Sequence, residues 1–146
     1  MADESTPTTY VSPEQLIQKA QELVSQGNIG IAFTYNEPLV GYEYVLDCSM
    51  LAHEQGLKTV VVTNGTICGK SLVELLPYID AMNIDLKGFT QEFYNAIKGD
   101  LQTVKATIAL AAKACHVEVT TLIIPGENDS EQEMEALSEW LASISR

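Results

Sequence analysis

The sequence predicts an α/β protein, a parallel sheet of about four strands joined by crossover helices, as in a partial (βα) TIM-like barrel. Three observations carry this. Helical and strand periods alternate along the chain, strands begin near residues 29, 58, 79 and 117, and polar residues gather where those strands end. Alternation of this kind means parallel strands with right-handed crossovers. An open doubly wound sheet and a piece of a (βα) barrel both fit the pattern. A complete eight-stranded barrel needs about 250 residues, and this chain has 146, so a partial barrel is expected.

Each element has a local reason. Ser12-Pro13-Glu14-Gln15 is a helix start, with a Ser cap, Pro in the first turn and Gln three residues on. Leu16, Ile17, Ala20, Leu23 and Val24 recur at helical spacing until Gly27. Ile29 to Thr34 is continuously apolar, as expected of a strand covered on both faces. A second helix is expected from Pro38 to Gln55, with Gly56 as its stop. Lys58 to Thr63 is the second covered strand. A short helix over 70–76 ends at Pro77, and Ile79 to Leu86 forms the third strand. Helical pieces over 90–97 and 101–114 break at Gly99. Val117 to Ile124 is the fourth strand, and Ser130 with Glu133 reads as a capping box for a last helix lined by Met134, Leu137, Trp140, Leu141 and Ile144. Residues 1–10 are expected to be a flexible segment and 11–146 a single partial barrel domain.

Bulk composition excludes several classes. Twenty carboxylates against eight Lys plus Arg give a formal charge of −12, which repels phosphate backbones, so nucleic acid is not an expected partner. No apolar run approaches the roughly 18 residues of a membrane span. The acidic, polar start "MADESTPTTY" is not a secretory signal, and a cytoplasmic location is expected. Cys48, Cys68 and Cys115 are too far apart for a C-x-x-C or zinc pattern, and are expected to be reduced, mostly buried thiols.

Ligands of parallel α/β folds bind at the carboxyl ends of the strands. The first strand ends in Thr34-Tyr35-Asn36-Glu37 and the second in Thr63-Asn64-Gly65. The third carries Asp85 and Lys87, and the fourth runs into Pro125-Gly126 and Glu127-Asn128-Asp129. Each has a purely structural reading. Asn36 can cap the helix at Pro38 with Glu37 favouring its dipole, Asn64-Gly65 can be a tight turn, and Asp85 with Lys87 can be an internal ion pair. His53 and His116 fall away from this rim and read as structural. Together the rim residues suit a zwitterion, with carboxylates for an ammonium and Lys or amide donors for a carboxylate. No glycine-rich phosphate loop is present.

"FTYNEP", "VVVTNG", "MNIDLKG" and "VTTLIIPGENDS" occur in the order and at the intervals of the radical S-adenosylmethionine enzymes. From about Val11 onward the chain resembles that family, most of all its branch of pyruvate formate-lyase activating enzymes, which are glycyl radical enzyme activators. "FTYNEP" stands where many members have Gly-Gly-Glu. The resemblance implies that Tyr35, Asn36 and Glu37 contact the amino end of S-adenosylmethionine. It implies further that Thr63, Asn64, Asp85 and Lys87 line its ribose and carboxylate, and that adenine lies by the backbone near Leu122. Val62 stands where the branch has Asp. The family binds a [4Fe–4S] cluster through C-x-x-x-C-x-x-C and acts on a protein or small-molecule substrate; the three cysteines here do not match that loop by spacing. The chain is therefore expected to be a central portion of such an enzyme, a radical SAM oxidoreductase by family. No metal ligand is assigned to it, and by itself it is expected neither to hold the cluster nor to be catalytically competent. Exposed sheet edges are expected to drive self-association. Two alternatives stand beside this: a small (βα) lyase or aldolase using Lys87 as a Schiff-base lysine, and a non-catalytic binding module.

Overall fold

In the computed structural model, which describes residues 9–144, four parallel strands form one sheet in the order β1-β2-β3-β4. The strands are β1 (Gly30–Phe33), β2 (Lys58–Thr63), β3 (Ala81–Asp85) and β4 (His116–Thr120). The helices are α1 (Pro13–Glu22), α2 (Tyr42–Glu54), α3 (Gly69–Leu75), α4 (Gln91–Ala96), α5 (Leu101–Ala111) and α6 (Glu131–Ile144). Most of the flexible segment expected over 1–10 lies outside the described residues.

Strictly sequential strand order decides between the two architectures. With right-handed crossovers it sends every connecting helix to the same face, the arrangement of a barrel wall rather than a doubly wound sheet. The core confirms the sidedness. Val61, Met82, Ile84 and Leu86 pack with Val45 of α2, Leu72 and Leu75 of α3, Val104 and Ile108 of α5 and Leu137 of α6. A smaller cluster of Ile17, Ala20, Ala52 and Leu57 receives Ile31 of β1 and seats α1 on α2. The first two strands were expected to be covered on both faces, and that expectation is overturned. Burial alternates along β2 and β3, and in β4 every second residue is exposed. Ala32, Glu118 and Thr120 are exposed and Val60, Val62, Asn83 and Asp85 half-buried, all on the face away from the helices. An apolar run such as "IGIAF" does not distinguish a doubly covered strand from one whose second face carries small apolar residues.

Several boundaries moved for local reasons. Ser12 makes the expected capping box with Gln15, and Gly27 stops the first helical stretch at φ 97°. The helix expected from Pro38 begins as a 3₁₀ turn over Pro38–Gly41 and becomes α-helical at Tyr42. β4 ends at Thr120, four residues before the expected Ile124. There the chain turns to other partners: Thr121 Oγ1 donates to the Leu86 carbonyl, and Ile124 N–H donates to Asn128 Oδ1. Ser130 Oγ accepts from Glu133 N, but the Glu133 carboxylate does not return to complete the box. It instead accepts from the backbone N–H of Phe89, tying α6 to the loop after β3. Lys105 Nζ lies 4.3 Å from the Phe89 ring centre and 4.7 Å from that of Trp140, closing the same corner by cation–π contact.

Gly30 is required by close approach. A Cβ there would fall 1.9 Å from the Lys58 carbonyl oxygen, so only glycine lets β1 lie against β2 at this point.

Candidate functional site

Glu37 organises the rim. Its Oε1 accepts from Thr63 Oγ1 at 2.7 Å and from Leu39 N at 3.1 Å, and its Oε2 accepts from Asn64 N at 2.7 Å. The carboxylate thus joins the chain leaving β1 to the chain leaving β2. It is also the cap of the 3₁₀ turn, a role expected of Asn36. Asn36 cannot fill that role because it lies in the left-handed region at φ 52°, directly after Tyr35 at φ 64°. Two successive non-glycine residues there are uncommon, at a cost of roughly 1–2 kcal/mol per residue. The three bonds to Glu37 hold the loop in place.

Beyond Glu37 the turn after β2 is built from inside. Thr63 is 2% exposed, and its hydroxyl also accepts from Gly65 N at 3.1 Å. Asn64 Oδ1 accepts from Thr66 N, and the buried Thr107 hydroxyl of α5 donates to the Gly65 carbonyl. Gly65 sits at φ 75°, as the tight-turn reading of Asn64-Gly65 anticipates.

At β3, Lys87 Nζ pairs with Asp85 Oδ2 at 2.7 Å, the side chains being 44% and 33% exposed. The ion-pair reading of these residues is realised, on the open face. Lys87 therefore stands in a solvated ion pair, without the dry enclosure that a Schiff-base lysine uses. Its backbone N–H donates to the hydroxyl of buried Tyr94, whose ionisation burial pushes upward. The Lys87 carbonyl accepts from Asn128 Nδ2, which donates to the Leu122 carbonyl as well. Asn128, 0% exposed, is the fastener of this corner; it stitches the ends of β3 and β4 together with three hydrogen bonds. Leu122 is itself 73% exposed.

The structure brings Glu37, Thr63 and Asn64 into direct contact and pairs Asp85 with Lys87. In strand register Thr63 pairs with Ile84, the residues directly before Asn64 and Asp85. Tyr35 is exposed at the edge of this group, touching none of it by hydrogen bond among the described residues. The open face continues the polar surface through residues that the motif reading did not single out. Thr120 Oγ1 donates to Asn83 Oδ1 at 3.0 Å, and Asn83 Nδ2 approaches Glu118 Oε2 at 3.4 Å. Their signal was present as period-two polarity: Asn83, Asp85 and Lys87 alternate with Met82, Ile84 and Leu86. His116 begins β4 3.8 Å from Glu118, and His53 stacks edge-on against Tyr78 at 5.9 Å.

Chemically, the rim offers both halves of a zwitterion site. Glu37 Oε2 carries one bond and Asp85 Oδ1 none among the described residues, leaving acceptor positions for an ammonium or hydroxyl. Asn64 Nδ2 and Lys87 Nζ supply donors. These residues fit the amino-acid and ribose portions of S-adenosylmethionine. The thiols do not fit an iron–sulfur cluster. Cys48 is fully buried within α2, Cys68 is exposed ahead of α3, and Cys115 is half-buried just before β4, at the opposite end of the strands. Three cysteines on three separate elements do not form a cluster site. Among the described residues, no helix is long and apolar enough to cross a membrane.

Comparison with known proteins shows the family of the chain. A family model described as the radical SAM superfamily matches residues 3–140. An uncharacterized protein of Methanocaldococcus jannaschii is 40% identical over 125 residues, covering 85% of this chain and 36% of its own length. A GTP 3',8-cyclase of Pseudomonas syringae pv. syringae is 31% identical over 140 residues, covering 90% of this chain and 42% of its own. The chain thus spans well under half the length of these curated relatives. A solved domain of a pyruvate-formate lyase-activating enzyme from Bacteroides vulgatus superposes with TM-score 0.71 at 24% identity, covering 80% of this chain and 74% of that one, a likeness of fold.

Proposed function

Because the chain belongs to the radical SAM superfamily, we propose that the rim formed by Glu37, Thr63, Asn64, Asp85 and Lys87 is an S-adenosylmethionine seat. The single observation carrying this reading is the Glu37 carboxylate. Three hydrogen bonds pre-position it at the strand ends and leave Oε2 an open acceptor position. Pre-positioning lowers the ordering cost of binding. The ammonium of the methionine portion would pair with Glu37, and its carboxylate with Lys87 or the Asn64 amide. The ribose hydroxyls would donate to Asp85. Bound there, the cofactor would supply a sulfonium carrying an adenosyl group. Tyr35 and Asn36 flank the amino end, and the adenine would lie by the Leu122 backbone.

The finer reading is the activating-enzyme branch, supported by the ordered motifs from "FTYNEP" to "VTTLIIPGENDS". The relatives named above differ in the reactions their names describe, a cyclisation of GTP and the activation of a lyase. What they have in common with this chain is therefore better sought in the cofactor seat than in the substrate. With no cluster ligands gathered among its own thiols, the chain by itself is proposed to seat the cofactor without cleaving it.

Calorimetric titration with S-adenosylmethionine tests the seat. Saturable binding is expected, weakened about tenfold or more by Glu37→Gln, which removes the charge facing the ammonium. Binding unchanged by that substitution, or no binding by the wild-type chain, sinks the proposal. Anaerobic reconstitution with iron and sulfide tests the second half, and four irons retained per chain would overturn it.

A further inference from the structure

The hydrogen-bonded ladder between β3 and β4 stops short of the seat. Its last pair is Asp85 with Thr120, closed by Leu86 N–H donating to the Thr120 carbonyl. Lys87 and Leu122 lie beyond it, so backbone pairing does not fix their separation. Side chains do. Asn128 Nδ2 donates to the Lys87 carbonyl at 2.6 Å and to the Leu122 carbonyl at 2.9 Å, while Asn128 Oδ1 accepts from Ile124 N–H at 2.7 Å. One amide thereby spans both strand ends, and it is 0% exposed although it sits in the loop ahead of α6. Thr121 Oγ1 adds a second tie, to the Leu86 carbonyl at 2.7 Å. The Lys87 peptide is gripped from its other side as well, where its N–H donates to the hydroxyl of buried Tyr94. Every partner in this set belongs to the chain itself and lies between two of its own segments.

We propose that Asn128 is a positioning residue for the adenosyl half of the cofactor, fixing the distance between the wall at Asp85 and Lys87 and the wall at the Leu122 backbone. This rests on the S-adenosylmethionine seat proposed above. The ribose would meet the first wall and the adenine the second, so the nucleoside spans both and feels a change in their spacing. A site keeps its affinity only while supporting residues hold it to within about 0.5 Å, and a seat ordered in advance costs less to occupy. Burying an amide is unfavourable unless its polar atoms are paired. Here both donated bonds go to carbonyls of the two walls, and among the described residues none goes to α6, the helix that Asn128 precedes. The amino end of the cofactor is served separately by Glu37, to which Asn128 makes no bond among the described residues.

Titration calorimetry with S-adenosylmethionine and with 5′-methylthioadenosine, its nucleoside half without the amino acid, tests this. Asn128→Asp keeps the side-chain volume and the acceptor for Ile124 N–H, but turns a carboxylate oxygen toward the two carbonyls in place of the donor. It is expected to weaken both ligands by the same factor, about tenfold or more. Glu37→Gln is expected to weaken S-adenosylmethionine and spare 5′-methylthioadenosine. Leu57→Ala opens a cavity beside the amino end of β2, far from the seat. It is expected to leave both affinities unchanged at temperatures where circular dichroism shows it folded, so lost stability alone does not imitate the effect. If Asn128→Asp does not fold, Thr121→Val removes the second tie and is expected to weaken both ligands about threefold. The positioning role is overturned, and the seat left standing, by a loss confined to S-adenosylmethionine, by an equal loss in Leu57→Ala, or by affinities that Asn128→Asp, or Thr121→Val in its place, leaves unchanged. A wild-type chain that binds S-adenosylmethionine but not 5′-methylthioadenosine overturns it too. Failure of the wild type to bind S-adenosylmethionine, or binding indifferent to Glu37→Gln, sinks the seat and the positioning role with it.

Discussion

Replacing Glu37 by Gln tests whether this side chain is first a strap between two strands. The carboxylate accepts three hydrogen bonds; the amide can accept on one end only. Its better orientation keeps the oxygen toward Thr63 Oγ1 and Leu39 N and turns the amide nitrogen to Asn64 N, donor against donor. One charge-assisted bond is lost and a backbone N–H is stranded, at a cost of about 1.5–3 kcal/mol, the lower half applying to a half-exposed site. Taking about 2 kcal/mol, the melting temperature should fall by roughly 4–8 °C. The urea midpoint should fall with the m-value unchanged, since the unfolded surface is the same. Thr63→Val removes the partner hydroxyl and also the acceptor for Gly65 N. In the double variant the Thr63 bond that Glu37→Gln keeps is lost as well, but as a neutral rather than a charge-assisted bond, so the two losses should fall short of additivity by about 1 kcal/mol. A cost for Glu37→Gln below about 0.5 kcal/mol, or additivity within about 0.3–0.5 kcal/mol, would refute the strap.

Asn128→Ala leaves Ile124 N, Lys87 O and Leu122 O without the partner that the fully buried Asn128 side chain supplies, and should cost about 2–4 kcal/mol by urea denaturation. Tyr35 offers a conformational contrast at φ 64°. Tyr35→Gly should be neutral to about 1 kcal/mol stabilising, strain relief being partly offset by chain entropy, whereas Tyr35→Val should cost about 1–2 kcal/mol; equal stabilities for the two variants would mean the loop is not held left-handed. Burial, with the Asp80 charge adding, pushes the Cys115 thiol from 9.0 to about 11. The folded thiol keeps its proton to higher pH than the unfolded one, so this contribution is complete below pH 9 and is lost as the pH rises to about 11. The loss should be about 1–2 kcal/mol after screening at a half-buried site. Urea midpoints across that range should fall in the wild type, and more shallowly in Cys115→Ala.

The parts of the fold legible in the sequence were those fixed by neighbours a few residues apart. The Ser12–Gln15 box, the stops at Gly27 and Gly56, and β2 from Lys58 to Thr63 came out as expected, because caps, left-handed glycines and β-branched runs act locally. The parts that were not legible depend on contacts across the chain. β4 was expected to reach Ile124 because "TTLII" has strand composition; Asn128 and the Leu86 carbonyl compete for its backbone and side chains, and nothing local announces them. Glu133 looked like half of a capping box until Phe89, 44 residues away, claimed its carboxylate. At the rim, the gathering of Glu37 with Thr63 and Asn64 followed from the rule about strand ends. That Glu37 rather than Asn36 caps the next turn did not, since the choice is made by the left-handed turn at Tyr35 and Asn36.

The one-sided helical coat divides the work within single strands. Along β3, Met82, Ile84 and Leu86 face the helices and bear the folding free energy, while Asn83, Asp85 and Lys87, interleaved with them, look away from it. A change at an even position is therefore felt by the whole domain, and a change at the adjacent odd position mainly by whatever the open face meets. Such a strand can explore new chemistry one residue at a time without drifting toward unfolding. A library randomised only at 83, 85, 118 and 120 should yield mostly folded members, and one randomised at 82, 84, 117 and 119 should yield few.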